Sequence, residues 1–177
     1  YKRLLFYYME GSRDPMQTKI YNDLTASTYE LADKIKTKLL VDDSPDLYYA
    51  VQRTLAIHPE DIEKLTVTAI SSYEVDNIKQ AEDSVNQLFK RIWASPYLSE
   101  DEMKILQRTI NADNSHTGMT KDTYDRSILN CQIVSSLILG LQSVFDKRKF
   151  QLLTVAAECN DEEVKIRAYT GILIILY

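Results

Sequence analysis

Few residues in this sequence belong to the types that carry out acid–base or nucleophilic chemistry. The chain contains two histidines, His58 and His116, and two cysteines, Cys131 and Cys159. No Glu-x-x-His or His-x-x-x-His spacing occurs, so no pair of metal ligands shares one helical face. Both cysteines lie in apolar segments without a neighbouring His or Cys, which predicts free, buried thiols. We therefore assign no catalytic residue, no metal ligand and no cofactor, and the residues favour a role other than catalysis.

One polar loop has the composition of a calcium-binding loop. Residues 113–118 read DNSHTG, and counting from Asp113 puts Gly118 at position six, where such loops need a glycine. Position twelve is Tyr124, however, which cannot supply the bidentate carboxylate required there. We therefore interpret this segment as a polar turn, and His58, which precedes Pro59, as the end of a helix.

The charge balance argues against several classes of partner. The formal net charge is −5 and the sequence pI is about 5.1, whereas proteins that bind a phosphate backbone usually present a basic surface. The longest basic run is Lys147-Arg148-Lys149, which we interpret as a solvated turn at a helix start. No apolar run reaches the roughly 20 residues that span a bilayer, and no signal peptide is recognisable. We therefore expect no nucleic-acid partner, no membrane partner and a cytoplasmic location.

Apolar residues recur at steps of three and four along most of the chain, which predicts about eight helices and no strand. Pro15, Pro45 and Pro96 lie at predicted helix boundaries, and Ser99 with Glu102 forms a capping-box pattern. Residues 65–68 (LTVT) alternate like a strand, but the spacing around them favours a helix. The first long helix has an apolar stripe that we expect to be buried. This stripe consists of Met16, Ile20, Leu24, Leu31, Ile35 and Leu39.

The C-terminal part of the chain contains one apolar pattern twice, displaced by 31 residues. The two copies are Ile133, Leu137, Gly140 and Leu141, and then Val164, Ala168, Gly171 and Ile172. A period of this size is typical of stacked helix pairs, because each pair is too small to bury its own apolar face.

Residues 150–172 resemble a HEAT-like repeat. The likeness rests on apolar positions in a first helix, an Asp in the turn, and a Val-Lys step with small residues in a second helix. These residues are Leu152, Leu153, Asn160, Asp161, Val164, Lys165, Ala168, Gly171 and Ile172. Residues 99–145 look like a degenerate copy that keeps the apolar and Gly positions. The resemblance implies an all-α fold in which antiparallel helix pairs stack as a short α-solenoid, and a compact multi-helix bundle is the structural alternative.

We expect residues 1–177 to form a single all-α, helical-repeat-like domain that belongs to a longer protein. An α-solenoid exposes a long surface relative to its mass, and it binds extended partners along that surface. The predicted function is therefore a non-catalytic protein-interaction or scaffold domain. The alternative is a helical accessory or regulatory domain of a larger enzyme whose catalytic residues lie outside this chain.

The last residues of the sequence form the predicted interface. Ile172, Ile174, Ile175 and Leu176 span most of the helix circumference, so one core cannot bury all of them. Together with Tyr177 they predict a surface that packs on a protein partner, on the remainder of a parent chain, or on another copy of this chain as a homo-oligomer.

Overall fold

The computed structural model describes residues 2–11, 15–112 and 121–177, and within these ranges every regular element is an α-helix. The all-α prediction is therefore confirmed, and the strand-like stretch 65–68 is helical. The nine helices of the described ranges are α1 (Lys2–Met9), α2 (Pro15–Asp43), α3 (Leu47–Ile57), α4 (Ile62–Glu74), α5 (Ile78–Ala94), α6 (Glu100–Asn111), α7 (Lys121–Ser143), α8 (Lys147–Ala157) and α9 (Glu162–Leu176).

Local side-chain hydrogen bonds explain where several helices begin. At α6 the backbone N–H of Glu102 donates to Ser99 Oγ at 3.2 Å, and Ser99 N–H donates to Glu102 Oε2 at 2.7 Å. At α9 the Asp161 carboxylate accepts from the N–H groups of Glu163 and Val164. These groups would have no partner inside the helix, so each cap stabilises its helix start by about 1 kcal/mol. The predicted capping box is confirmed.

The chain divides into two compact units, Tyr1–Ser44 and Pro45–Tyr177. The first unit contains α1 and α2, and the second contains α3 to α9. The expectation of a single domain over 1–177 stays a prediction.

The apolar stripe of α2 lies largely in solvent, contrary to expectation. Five of its six residues are exposed, with Leu39 at 67% and Leu24 only half-buried. The exposed members are Met16, Ile20, Leu31, Ile35 and Leu39. Helical periodicity identifies the face that a neighbour could cover, but it carries no information on whether a neighbour is present.

The second unit has one contiguous apolar core, to which α4 to α9 contribute. Consecutive helices α4 and α5 pack together, as do α8 and α9. Every second helix is also in contact: α5 packs on α7 and α7 on α9, while α4 packs on α6 and α6 on α8. The echo positions lie in this core, since all four of the first copy are buried and only Ile172 of the second is partly exposed. Whether the helices form a solenoid or a bundle stays a prediction.

Candidate functional site

The most unusual side chain in the core is Lys149, which is completely buried near the start of α8. The interpretation of residues 147–149 as a solvated turn holds for Lys147 and Arg148, which are exposed, but it is wrong for Lys149. Successive residues of a helix point about 100° apart, so Lys149 lies on a different side of α8 from Lys147.

Lys149 reaches the C-terminal end of α5. Its Nζ donates a hydrogen bond to the carbonyl oxygen of Ser95 at 2.5 Å. One residue earlier, Ala94 O accepts from Gln52 Nε2 at 2.7 Å, and Arg91 O accepts from Ser95 Oγ at 2.6 Å. The last carbonyls of a helix have no intrahelical partner and carry partial negative charge, so a cation and neutral donors are favourable there.

Gly140 of α7 makes room for this lysine. A Cβ at this position would lie 2.6 Å from Lys149 Nζ and 3.0 Å from the backbone oxygen of Trp93. Both distances are shorter than ordinary van der Waals contacts. Gly140, the small residue in the first copy of the 31-residue echo, therefore allows α7 to lie close to the end of α5.

Two acidic side chains complete the surroundings of Lys149. Glu102 Oε1 forms a 2.5 Å ion pair with Arg91, whose Nε also donates to Glu60 O at 3.0 Å. Asp146 is buried, and its carboxylate accepts from the N–H groups of Leu98 at 2.9 Å and Arg148 at 3.0 Å. We call the six side chains that lie or bond at the C-terminal end of α5 and the residues after it the Lys149 cluster: Gln52, Arg91, Ser95, Glu102, Asp146 and Lys149.

Burial determines the acid–base behaviour of the lysine. Desolvation lowers the pKa of Lys149 to about 8, although the carboxylates of Asp146 and Glu102 act in the opposite direction. An amine with such a pKa could in principle serve as a base or form a Schiff base. A substrate could not reach Nζ, however, because the whole side chain is buried and Nζ is bonded to Ser95 O. The geometry therefore assigns the cluster to holding α3, α5, α6 and α8 together.

The two cysteines are free thiols, as predicted, and Cys131 is buried whereas Cys159 is partly exposed. Burial raises the pKa of both thiols, which keeps them protonated and weakly nucleophilic. Cys159 lines a cavity of about 170 Å³ between residues 110–112 and 158–161, and its Sγ donates to Asp161 O at 3.5 Å. The thiol thus faces a backbone oxygen rather than a base.

A larger cavity of about 340 Å³ lies among α4, α5 and α7. Its lining is partly apolar, from Ile78, Val85 and Ile128, and Glu82 is its one acidic residue. Tyr73 also lines this cavity, so its titratable side chains are one carboxyl group and one phenol, without a histidine, a cysteine or a second carboxyl group. The lining therefore lacks the paired carboxylates that many acid–base sites use.

Of the two histidines, only His58 lies in the part of the chain that the structure describes. His58 is exposed at the C-cap of α3, where its N–H donates to Thr54 O, and the predicted helix end at this residue is confirmed. Residues 113–118, with His116, lie outside the described residues. Within the described ranges, no three His, Cys, Asp or Glu residues are grouped as a metal ion would need. None of the described helices has the length and apolar character needed to cross a membrane.

α9 presents apolar residues on two opposite sides. Val164, Ala168 and Gly171 face the core and are buried. The opposite side carries four exposed apolar residues at steps of three, four and three. We call it the outward face of α9, and it consists of Ile166 (62% exposed), Tyr169 (54%), Leu173 (70%) and Leu176 (71%).

The predicted interface residues are distributed between these two sides. Ile172 and Ile175 are partly buried and pack against the core, whereas Ile174, Leu176 and Tyr177 are exposed. Sequence reasoning missed Ile166, Tyr169 and Leu173, although their spacing with Leu176 is the helical one and could have identified them.

Substitutions of Leu173 and Ile175 distinguish the outward face of α9 from the side that packs on the core. We expect Ile175→Lys to lower the free energy of unfolding by about 2 kcal/mol, because a charged group replaces an apolar side chain packed on the core. Leu173→Lys should change it by less than about 0.5 kcal/mol, since Leu173 is mostly in solvent. Urea unfolding followed by the fluorescence of Trp93, the only tryptophan, measures both. Equal losses for the two variants would contradict the described orientation of α9.

Comparisons with known proteins return no relative. No protein-family model matches this chain, no curated protein matches it, and no solved structure matches it. The HEAT-like resemblance of residues 150–172 therefore stays a prediction.

Proposed function

We propose that this chain is a non-catalytic protein-interaction domain of the helical-repeat type, and that it binds a protein partner through the outward face of α9. One observation carries the proposal: four exposed apolar residues lie at helical spacing on the side of α9 opposite its buried residues. Contiguous apolar patches on a protein surface commonly mark interaction sites. Covering such residues contributes about 25 cal/mol for each Å² of apolar area, so a partner helix would gain by packing there.

The helix contacts of the second unit support the repeat part of the proposal. Contacts between every second helix, α5 with α7 and α7 with α9, are those expected where helix pairs stack side by side. The 31-residue echo has the same origin, because equivalent helices need small and apolar residues at equivalent positions. In such a stack each pair presents an apolar side to the next, and the outward face of α9 has that character.

The Lys149 cluster supports the non-catalytic part. Its lysine and one of its carboxylates, Asp146, are buried, and its lysine, arginine and two carboxylates are each bonded to a backbone group or to another member. Their hydrogen bonds hold helix ends in place. This leaves an exposed apolar helix face, rather than a polar cleft, as the feature best suited to a function, and in the second unit that face is the outward face of α9.

Photo-cross-linking tests the proposal directly. We expect a benzophenone amino acid in place of Leu173 to give one discrete cross-linked product in the cells that make the protein. The same amino acid in place of Gln151, an exposed residue of α8, serves as the matched control and should give none. Adding Tyr169→Lys to the Leu173 probe should remove the product, because a charge would then lie in the contact.

Each outcome has a definite meaning. A product that depends on position 173 and disappears with Tyr169→Lys supports the outward face as an interface. A product equal to twice the chain mass identifies the partner as a second copy. Equal labelling from positions 173 and 151, or no product from either, contradicts the proposed function.

A further inference from the structure

The interface between α7 and α9 indicates what kind of partner the outward face of α9 would recognise. We propose that the partner is an amphipathic helix with a basic residue four positions before a small residue, and that it packs on α9 as α9 packs on α7. This inference rests on the proposed function, since it specifies the partner of the same surface.

Two residues of α9 define its contact with α7. Gly171 lies so close to Ile138 that a Cβ on the glycine would overlap Cγ1 and Cδ1 of the isoleucine. Arg167, four residues earlier and thus about one turn away, donates to Ser135 Oγ at 2.9 Å. Arg167 also interacts electrostatically with the buried Cys131. A small residue lets the helices approach, and a basic residue lies at the edge of the contact.

The 31-residue displacement of the echo gives each of these α7 residues a counterpart in α9. Ile138 becomes Tyr169, Ser135 becomes Ile166 and Cys131 becomes Glu162. On α7, Cys131 is buried, and Ser135 and Ile138 are partly buried. On α9 all three counterparts are exposed. The α9 residues that correspond to the α9-contacting residues of α7 therefore form an exposed surface, on which a further helix could pack as α9 packs on α7.

The residues on that surface specify the chemistry of the occupant. Tyr169 is larger than Ile138, so a helix that packs over it again needs a small residue at the contact. Glu162 stands where α7 has a neutral thiol, and its side chain is 80% exposed with only a 3.7 Å contact to Lys165. A basic residue at the place of Arg167 would find Ile166 in place of the Ser135 hydroxyl, but it would meet the Glu162 carboxylate, which favours it.

A second copy of this chain cannot supply the required helix from α9. Its own Gly171 and Ala168 are already buried. The occupant that the geometry fits is therefore an amphipathic helix with this spacing other than α9 itself.

A peptide derived from α9 provides the probe. It has the sequence of residues 161–177 with Ile166, Tyr169, Leu173 and Leu176 each replaced by Gln or Lys, so that the outward face becomes polar and the inward face stays apolar. It keeps Arg167 and Gly171 at their four-residue spacing. We expect this fluorescent peptide to bind the full 177-residue chain, as measured by anisotropy. Tyr169→Lys in the chain should abolish binding, while circular dichroism shows that the variant remains folded.

Matched changes test each part of the inference. Gly171→Leu in the peptide should weaken binding by about tenfold or more, because the larger side chain prevents close approach. Arg167→Glu in the peptide should weaken it about threefold to tenfold at low salt. Glu162→Lys in the chain should restore binding of the Arg167→Glu peptide. Glu163→Lys, the neighbouring exposed position, should restore it less.

The outcomes separate this inference from the proposed function. If the peptide and its Gly171→Leu variant bind equally, or if Glu162→Lys fails to restore binding, the inferred register is wrong. If no peptide binds although Leu173 gives its cross-linked product, the interface stands and the inferred partner is wrong. If neither binding nor cross-linking occurs, both proposals fall.

Discussion

Lys149→Ala is expected to lower the free energy of unfolding by about 2 to 5 kcal/mol. The truncation leaves a cavity at a completely buried position, and it removes the donor that satisfies Ser95 O at the end of α5. An unsatisfied buried acceptor costs about 1 to 3 kcal/mol by itself. Chemical unfolding monitored by Trp93 is a suitable measurement, because Trp93 lies in α5 two residues before Ser95.

Lys149→Met separates shape from charge. Methionine fills most of the space without carrying a charge into the core, so it should cost clearly less than alanine. A loss as large as that of Lys149→Ala would show that the hydrogen bond, rather than the packing, dominates. No loss in either variant would contradict the role of the Lys149 cluster in joining the helices.

The pH dependence of stability gives an independent signature of Lys149. Its pKa is about 8 in the folded protein against 10.5 for the ordinary side chain. Between these values the unfolded chain binds more protons than the folded one, so this group makes stability rise with pH, by at most about 1.4 kcal/mol per pH unit. Both Lys149 variants should lose this rise.

Burial raises the pKa of Tyr48 to about 12, which makes stability fall with pH above about 10. The rise in stability that Lys149 causes is therefore best measured between pH 8 and 10.

Gly140→Ala is expected to lower the free energy of unfolding by about 1 to 3 kcal/mol, even though alanine is the better helix former by about 1 kcal/mol. The new methyl group would meet Lys149 Nζ and the backbone oxygen of Trp93, and the backbone oxygen cannot move without shifting α5. Gly171→Ala is the matched control. Its methyl group would meet the side chain of Ile138, which can change rotamer, so the loss should be smaller.

A double-mutant cycle tests the cause of the Gly140 effect. Lys149→Met removes Nζ, so Gly140→Ala should cost less in that background, and the two changes should not be additive. Strict additivity, or a larger loss for Gly171→Ala than for Gly140→Ala, would show that the close approach at Gly140 does not limit the packing of α7 on α5.

The sequence by itself determined the secondary structure of the described residues. The reason is that the signals are local: the partners in the Ser99–Glu102 capping box are three residues apart, and apolar steps of three and four define each helix face. The sequence also identified the echo positions, including Gly140 and Gly171, as packing positions, because a small residue that recurs in both copies indicates the same close packing in each. The free thiols followed from the lack of a neighbouring partner in the sequence.

Only the tertiary structure decided which polar and apolar residues are covered. Lys149 belongs to a basic run, and its burial depends on Ser95, which lies 54 residues away in the sequence. The α2 stripe, with Ile35 and Leu39, has the pattern of a buried face, yet it is exposed. On α9 the residues chosen from the sequence as the interface included Ile175, which packs on the core. A periodic pattern states which side of a helix is apolar, but contacts between distant segments determine whether anything covers it, and those contacts leave no local trace in the chain.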